Sequence, residues 1–442
     1  MIMGNSKAVE RKIPLNEKAA QWLGSQDLSR PVLSNMAASE LPFQRWFHFK
    51  EAFAPEFVAK VIEGLPYDPQ HIVDPFAGSG TTAITSRLLG KRSTSIEVSP
   101  LMADLVRAKI TAVSAAKFRE AVNIVLRRLR PTERDQLLPK LMPPTFTEPG
   151  VKGRYIFPME VFALARAILR RSKKLDEPEA RLIKIALASC LVGNSNVRVN
   201  GKGRRYRSNW QSKEPTANGL MWAFEKACNR ICEDLLDFAL LPHGQQSVLQ
   251  GDSRAMLGRI DWADTVICSP PYPNSFDYTD VYNVELWMLG YLQSPEDNHA
   301  LRADTVRSHV QYRWPSADGL LKDLGSSTLQ ETLSDLVDRK DQLWDRNIPD
   351  MVAHYFNDMR KVFDSATRFL EPRGQVIFAV GNSRYANVTI DVPKILAEIV
   401  QPLGFERCRE EAVRSMRTSA QHGGQNELAE TAVSFILKGG GS

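Results

Sequence analysis

The nine residues from Asp74 to Thr82, DPFAGSGTT, set an acid, two glycines and three hydroxyls close together. Gly78 and Gly80 let the backbone turn sharply and approach a ligand closely. A helix-like run follows at once, and the first N–H groups of a helix are free to face a phosphate or a carboxylate. No Lys-Ser/Thr pair follows the glycines and the spacing is not G-x-G-x-x-G, so the residues alone give a cofactor loop of open ligand. A second run, SPPY, spans Ser269 to Tyr272. Pro270 and Pro271 stiffen the backbone and leave carbonyls without local N–H partners. Ser269 adds a side-chain acceptor, and Tyr272 offers a flat ring on which a base can stack. Such a corner can hold an amino group.

Two more acids stand where strands end. Glu97 closes STSIEV, and Asp252 follows QSVLQ. In an open parallel sheet, ligands bind beyond the carboxyl ends of the strands, so Asp74, Glu97 and Asp252 converge on one edge. The segment 194–213 carries Arg198, Lys202, Arg204, Arg205 and Arg207 with no acid, and Tyr206 and Trp210 are interleaved. That composition suits contact with phosphates. Glycines at 193, 201 and 203 make the segment read as a pliable loop.

These residues need elements to hold them. HIVDPF, the glycine loop, a helix-like run and STSIEV give strand, loop, helix and strand, the tempo of a parallel α/β sheet. Further strand-like runs fall at 246–250, 264–269, 374–381, 405–411 and 431–437, making seven in all. Residues 116–130, 158–173, 177–193 and 216–240 are helical in period and interrupt the alternation. Residues 293–345 read as polar and irregular.

The chain has 442 residues, 43% hydrophobic and 24% charged, enough for a sizeable core. No long uncharged apolar run spans a membrane, and the N-terminus lacks the apolar stretch of a secretory signal. The five cysteines are scattered and odd in number, which fits a reducing cytoplasm. Cys228 and Cys232 lack a second Cys/His pair and read as core thiols, not metal ligands. The net charge of +6 favours a polyanionic partner.

DPFAGSGTT together with SPPY resembles the amino-group DNA methyltransferases, which modify cytosine N4 or adenine N6. The resemblance covers roughly 47–111, 246–292 and 350–437. It implies a Rossmann-like methyltransferase sheet, mostly parallel and seven-stranded, with a mainly helical insertion. It implies S-adenosyl-L-methionine as cofactor and no metal. By the same resemblance Asp74, Phe76, Gly78, Gly80 and Thr81 hold the methionine part. An upstream element at 47–57, with Phe53, completes that pocket. Glu97 holds the ribose hydroxyls, Asp252 contacts the adenine, and Ser269, Pro270, Pro271 and Tyr272 bind the target amino group. The serine form of the corner favours cytosine N4. The implied partner is double-stranded DNA, its target base flipped out, and a cognate restriction or defence-system protein can accompany it.

The expected organisation is an arm at 1–46, a catalytic domain at 47–112 and 246–438, and a helical insertion at 113–245 as the DNA target-recognition region. Within it Arg198, Lys202, Arg204, Arg205, Tyr206 and Arg207 contact DNA, and 293–345 forms a second insertion available to DNA. In this chain the glycine loop precedes SPPY, whereas many serine-type members have the reverse order. Two other readings stand beside this one: an RNA or tRNA base methyltransferase, and a DNA-binding module that has lost catalysis.

Overall fold

Runs that are apolar on both sides of the chain become the centre of one sheet. The computed structural model describes residues 41–50, 52, 54–200, 203–238, 245–317, 319, 324–416 and 428–438. The strands are β1 (His71–Asp74), β2 (Arg92–Glu97), β3 (Val197–Asn200), β4 (Gly203–Tyr206), β5 (Gln246–Gln250), β6 (Ala263–Cys268), β7 (Leu370–Gly381), β8 (Ser383–Tyr385), β9 (Val388–Ile390), β10 (Phe405–Met416) and β11 (Leu428–Leu437). The longer helices are α1 (Pro55–Gly64), α2 (Thr81–Leu88), α3 (Pro100–Ile110), α4 (Ala115–Leu126), α5 (Met159–Ser172), α6 (Glu177–Leu191), α7 (Ala217–Asp237), α8 (Pro295–Asp304), α9 (Ser327–Asp338), α10 (Ile348–Phe369) and α11 (Val392–Val400).

Seven strands form the main sheet in the order β10-β11-β7-β6-β1-β2-β5. The pairs β5/β2, β2/β1, β1/β6 and β6/β7 are parallel, and β11 runs against both of its neighbours. This is a mostly parallel, seven-stranded Rossmann-like sheet, as expected. From β1 the chain moves through β2 to β5 at one edge, then returns to β6 on the other side of β1. The order reverses there, so a crevice opens beyond the ends of β1 and β6.

Each central strand feeds two cores, because neighbouring side chains point to opposite faces. Ile72, Ile267 and Ile377 join a core with α1 to α7, while Val73, Val266 and Phe378 join one with α10 and α11. Within the second core, Phe363 of α10 meets Phe378, Phe405 and Phe435 edge to face or tilted. Fully burying one such ring stabilises by roughly 1.5–3 kcal/mol. Proline at the first helical position starts α1 and α3, where its missing N–H would have had no partner anyway. Cys228 and Cys232 are buried on α7. No helix among the described residues is long and apolar enough to cross a membrane.

The four helices α4 to α7 fall where the helical period predicts. Other expectations need correction. Residues 41–46, read as the end of an arm, are packed: Phe43 and Trp46 are buried, and both donate to buried Asp234 of α7. The earlier part of the arm lies outside the described residues. The segment 194–213 contains a β-hairpin, not a pliable loop, with Arg198 paired to Arg205 and Val199 to Arg204 across β3 and β4. Alternation of Val197 and Val199 gives that hairpin an inward face, which the density of arginines obscures. Residues 293–345 hold α8 and α9. A capping box from Ser294 to Asp297 starts α8, but no residue of α8 is buried, so no apolar stripe announces it.

Candidate active site

The glycine loop takes its shape from two left-handed residues. Gly78 has φ +50° and Gly80 φ +81°, and a Cβ on Gly78 would lie 3.0 Å from the Phe49 ring. A Cβ on Gly80 would lie 2.9 Å from Val106 of α3. Glycine is therefore required twice, once to face the cleft and once to seat the loop on its helix. The Gly80 N–H closes the turn on the Ala77 carbonyl at 2.7 Å, and α2 begins at Thr81.

Two carboxylates brace this loop. Asp74 is fully buried and accepts the Phe76 N–H at 3.0 Å. Glu97 accepts the Gly78 N–H at 2.8 Å on one oxygen and the Ser99 N–H at 2.8 Å on the other. Burial pushes both carboxyls up to about 7, against the opposing pull of their backbone donors. Behind the loop the buried Lys109 ammonium donates to the Ser79 carbonyl at 2.6 Å. Burial lowers this lysine to about 7.

A cleft of about 1130 Å³, counting its solvent-open mouth, joins the two motifs. Phe76, Gly78, Thr81 and Glu97 line one end, and Ser269, Pro270, Pro271 and Tyr272 line the other. Asp74 and Gly80 shape the loop from beneath. Asp252 caps the short turn after β5 and is held by the Arg254 guanidinium at 2.8 Å, while its neighbours Gly251 and Ser253 face the cleft. Phe53 lies outside the described residues. The volume and the mix of aromatic, hydroxyl and carboxylate groups suit a nucleoside-sized ligand beside a flat heterocycle.

Several lining residues were not anticipated. Phe49 stacks on Tyr278 and Tyr282, with centroids 5.8 and 5.5 Å apart, and this aromatic wall stands over Gly78. Tyr278 and Tyr282 are four residues apart, the spacing of one helix face, which is a legible signal in hindsight. Leu301, Asp304, Thr305 and Val306 supply another wall, so the start of the 293–345 segment closes the cleft. Arg254 anchors it, bonding the Asp304 carbonyl at 3.2 Å and Asp358 of α10 at 2.6 Å. Glu430 of β11 is buried and accepts the Tyr272 hydroxyl.

The arginine hairpin adjoins this cleft. Strand β4 lies against the turn Tyr278–Val281, and Arg204 reaches Asn283 Oδ1 at 3.5 Å. Arg198 and Arg205 are exposed and directly opposite one another. Tyr206 is half-buried under the Arg154 guanidinium, 5.3 Å from its ring centre. Arg207 turns inward and donates to the Val192, Gly193 and Val197 carbonyls, so it fastens the hairpin instead of extending its exposed row. Lys202 lies outside the described residues.

No family model matches the chain. It is 25% identical over 410 residues to the Type II methyltransferase M.AvaI of a Nostoc species, covering 86% of this chain and 82% of the relative. It is 26% identical over 428 residues to the Type II methyltransferase M.BsoBI of Geobacillus stearothermophilus, with the same two coverages of 86% and 82%. Among solved structures, an rRNA methyltransferase, aviRa from Streptomyces viridochromogenes, aligns over 88% of this chain and 87% of its own at 11% identity and a TM-score of 0.29. So slight a structural likeness bears on neither fold nor substrate.

Proposed function

We propose that this chain, supported as an amino-group DNA methyltransferase by its two motifs and its relatives, moves a methyl group from S-adenosyl-L-methionine to cytosine N4 in double-stranded DNA. The observation that carries the reading is the meeting of the glycine loop and the Ser269–Tyr272 corner in one cleft. The cradle at Gly78, which any Cβ would fill, fits close approach of the methionine part of the cofactor. Asp74, Phe76, Gly80 and Thr81 shape that end, Glu97 meets the ribose hydroxyls, and Asp252 borders the adenine through Gly251 and Ser253. Bound there, the cofactor supplies an electrophilic methyl group.

The chain's own residues do the remaining work. An exocyclic amine is a weak nucleophile because its lone pair is delocalised into the ring. Acceptors on Ser269 and the Pro270 carbonyl draw on its N–H groups and restore the lone pair. Holding the nitrogen in line contributes up to roughly 7–11 kcal/mol in favourable systems. The base must leave the duplex to reach the cleft, and the Tyr272 ring gives it a stacking surface. Arg198, Arg204 and Arg205 on the adjoining hairpin meet phosphates of the same duplex. Serine at 269, where adenine-modifying members carry aspartate or asparagine, favours cytosine. A cognate restriction protein and a cytoplasmic location belong to the same reading.

The test is transfer of labelled methyl to unmodified DNA and to tRNA, followed by nucleoside mass spectrometry. N4-methylcytosine from DNA is expected. N6-methyladenine would move the target base, and labelled tRNA without labelled DNA would overturn the substrate.

A further inference from the structure

The tyrosine of the corner is more than a ring. Its hydroxyl lies 3.3 Å from Ser269 Oγ and donates to Glu430 Oε1. Glu430 is paired with Gly381 of β7 and is buried on a strand whose Ala432, Val433 and Phe435 are buried too. An ionisable group in that position is costly unless it is bonded. A tyrosine hydroxyl has one proton. Spent on a carboxylate, which can only accept when ionised, it leaves the oxygen as an acceptor toward Ser269. Ser269 must then donate its own proton to Tyr272, and its lone pairs are what remain for the cleft.

From this chain of bonds we infer that Glu430 is a positioning residue, acting through Tyr272 to make Ser269 a pure acceptor and receiving the proton that the target amino group gives up. The inference rests on the methyl-transfer reading above. It gives the corner a preference for amino groups over ring carbonyls, because a carbonyl presents lone pairs to lone pairs. The step balances. The amine nitrogen bonds the methyl carbon, and the carbon–sulfur bond breaks with its electron pair left on sulfur. The N–H proton passes to Ser269 Oγ as the serine proton passes to Tyr272, and the tyrosine proton passes to Glu430. The sulfonium charge and the carboxylate charge vanish together, so no separated charge is stranded in a buried site.

Glu430→Gln keeps the side chain's shape but cannot take a proton, and Tyr272→Phe keeps the ring but cuts the chain. Each is expected to slow single-turnover methyl transfer about 100-fold, the lower end of what proton transfer contributes. S-adenosylhomocysteine and DNA affinities should hold. The double variant should be no slower than the slower single one, and Glu430→Asp should recover part of the rate. A normal rate in Tyr272→Phe, or single effects that multiply in the double variant, would overturn the inference. If Glu430→Gln fails to fold, Tyr272→Phe and Glu430→Asp still decide it. Failure of the unmodified protein to label DNA would instead sink the methyl-transfer reading, so the two failures are distinct.

Discussion

The glycine loop is braced from within by the buried carboxyls of Asp74 and Glu97, which accept backbone N–H groups, whereas the β3–β4 hairpin holds Arg198 and Arg205 out in water, like charge opposite like charge. On the methyl-transfer reading the loop serves one small molecule of fixed chemistry, and each carboxylate beside it braces a backbone turn. On the hairpin Arg198 and Arg205 stay exposed, and their opposition raises the energy of a short strand pair until anions lie between them. Preorganisation suits the ligand that is always the same. Exposed, repelling charge suits a polymer whose phosphates repeat whatever its sequence.

The sharpest way to break this contrast is Gly78→Asp. The backbone sits at φ +50° and the new side chain would strike the Phe49 ring. We expect a loss of cofactor affinity of at least 100-fold by calorimetry with S-adenosylhomocysteine, while DNA binding stays within about 2-fold. A joint loss would mean that the two regions are not separate devices.

Tyr272→Ala should come next, on the border between them. Losing a stacking surface costs roughly 1–3 kcal/mol per base, so single-turnover transfer should fall by about 10- to 100-fold beyond Tyr272→Phe, with cofactor affinity kept. Full activity would remove SPPY as the catalytic corner.

At the hairpin, Arg198→Ala with Arg205→Ala should flatten the salt dependence of DNA binding by about 1–2 in log–log slope, near 0.9 for each phosphate released. Arg207→Ala should leave that slope unchanged and lower Tm instead, because three backbone carbonyls lose their donor. An unchanged slope in the double variant would assign phosphate contact to another surface.

The last expected effect concerns protons. Burial holds Asp74 and Glu97 at about 7 in the folded chain, against roughly 4 when unfolded. The folded state therefore keeps protons that the unfolded state releases. That stabilisation is complete below about pH 4 and is lost as pH rises through about 7. The ligand-free protein should lose more Tm between pH 5 and 8 than the Asp74→Asn, Glu97→Gln variant, whose side chains stay neutral. Equal losses would show that these carboxyls are ionised throughout.

Much of the loop end was legible because its signals are local. Gly78, Gly80 and the acids at strand ends are fixed by backbone geometry within a few residues, and four insertion helices showed their period. The rest depends on contacts that sequence spacing does not encode. Asp252 reads as a ligand acid but spends its carboxylate on Arg254. Arg207 reads as one more phosphate contact but is consumed by carbonyls. The helix α8 has no buried face to give it a stripe. Glu430 could have been noticed as an acid at a buried position of an apolar strand, yet its partner is 158 residues away.

Those separations set the order in which the molecule is finished. The Phe43 N–H reaches Asp234 across 191 residues, the Lys50 N–H reaches the Tyr282 hydroxyl across 232, and Tyr272 reaches Glu430 across 158. Closing such long stretches of chain is slow compared with forming local helices and turns. Domains emerge from the ribosome N-terminal part first, so the glycine loop and its helix exist as chain long before β11 does. A nascent chain that has not yet released β11 has the residues of the cradle and the corner but not Glu430, which accepts the Tyr272 hydroxyl. A strand that leaves the ribosome well after the loop and the corner is thus the one that completes the site.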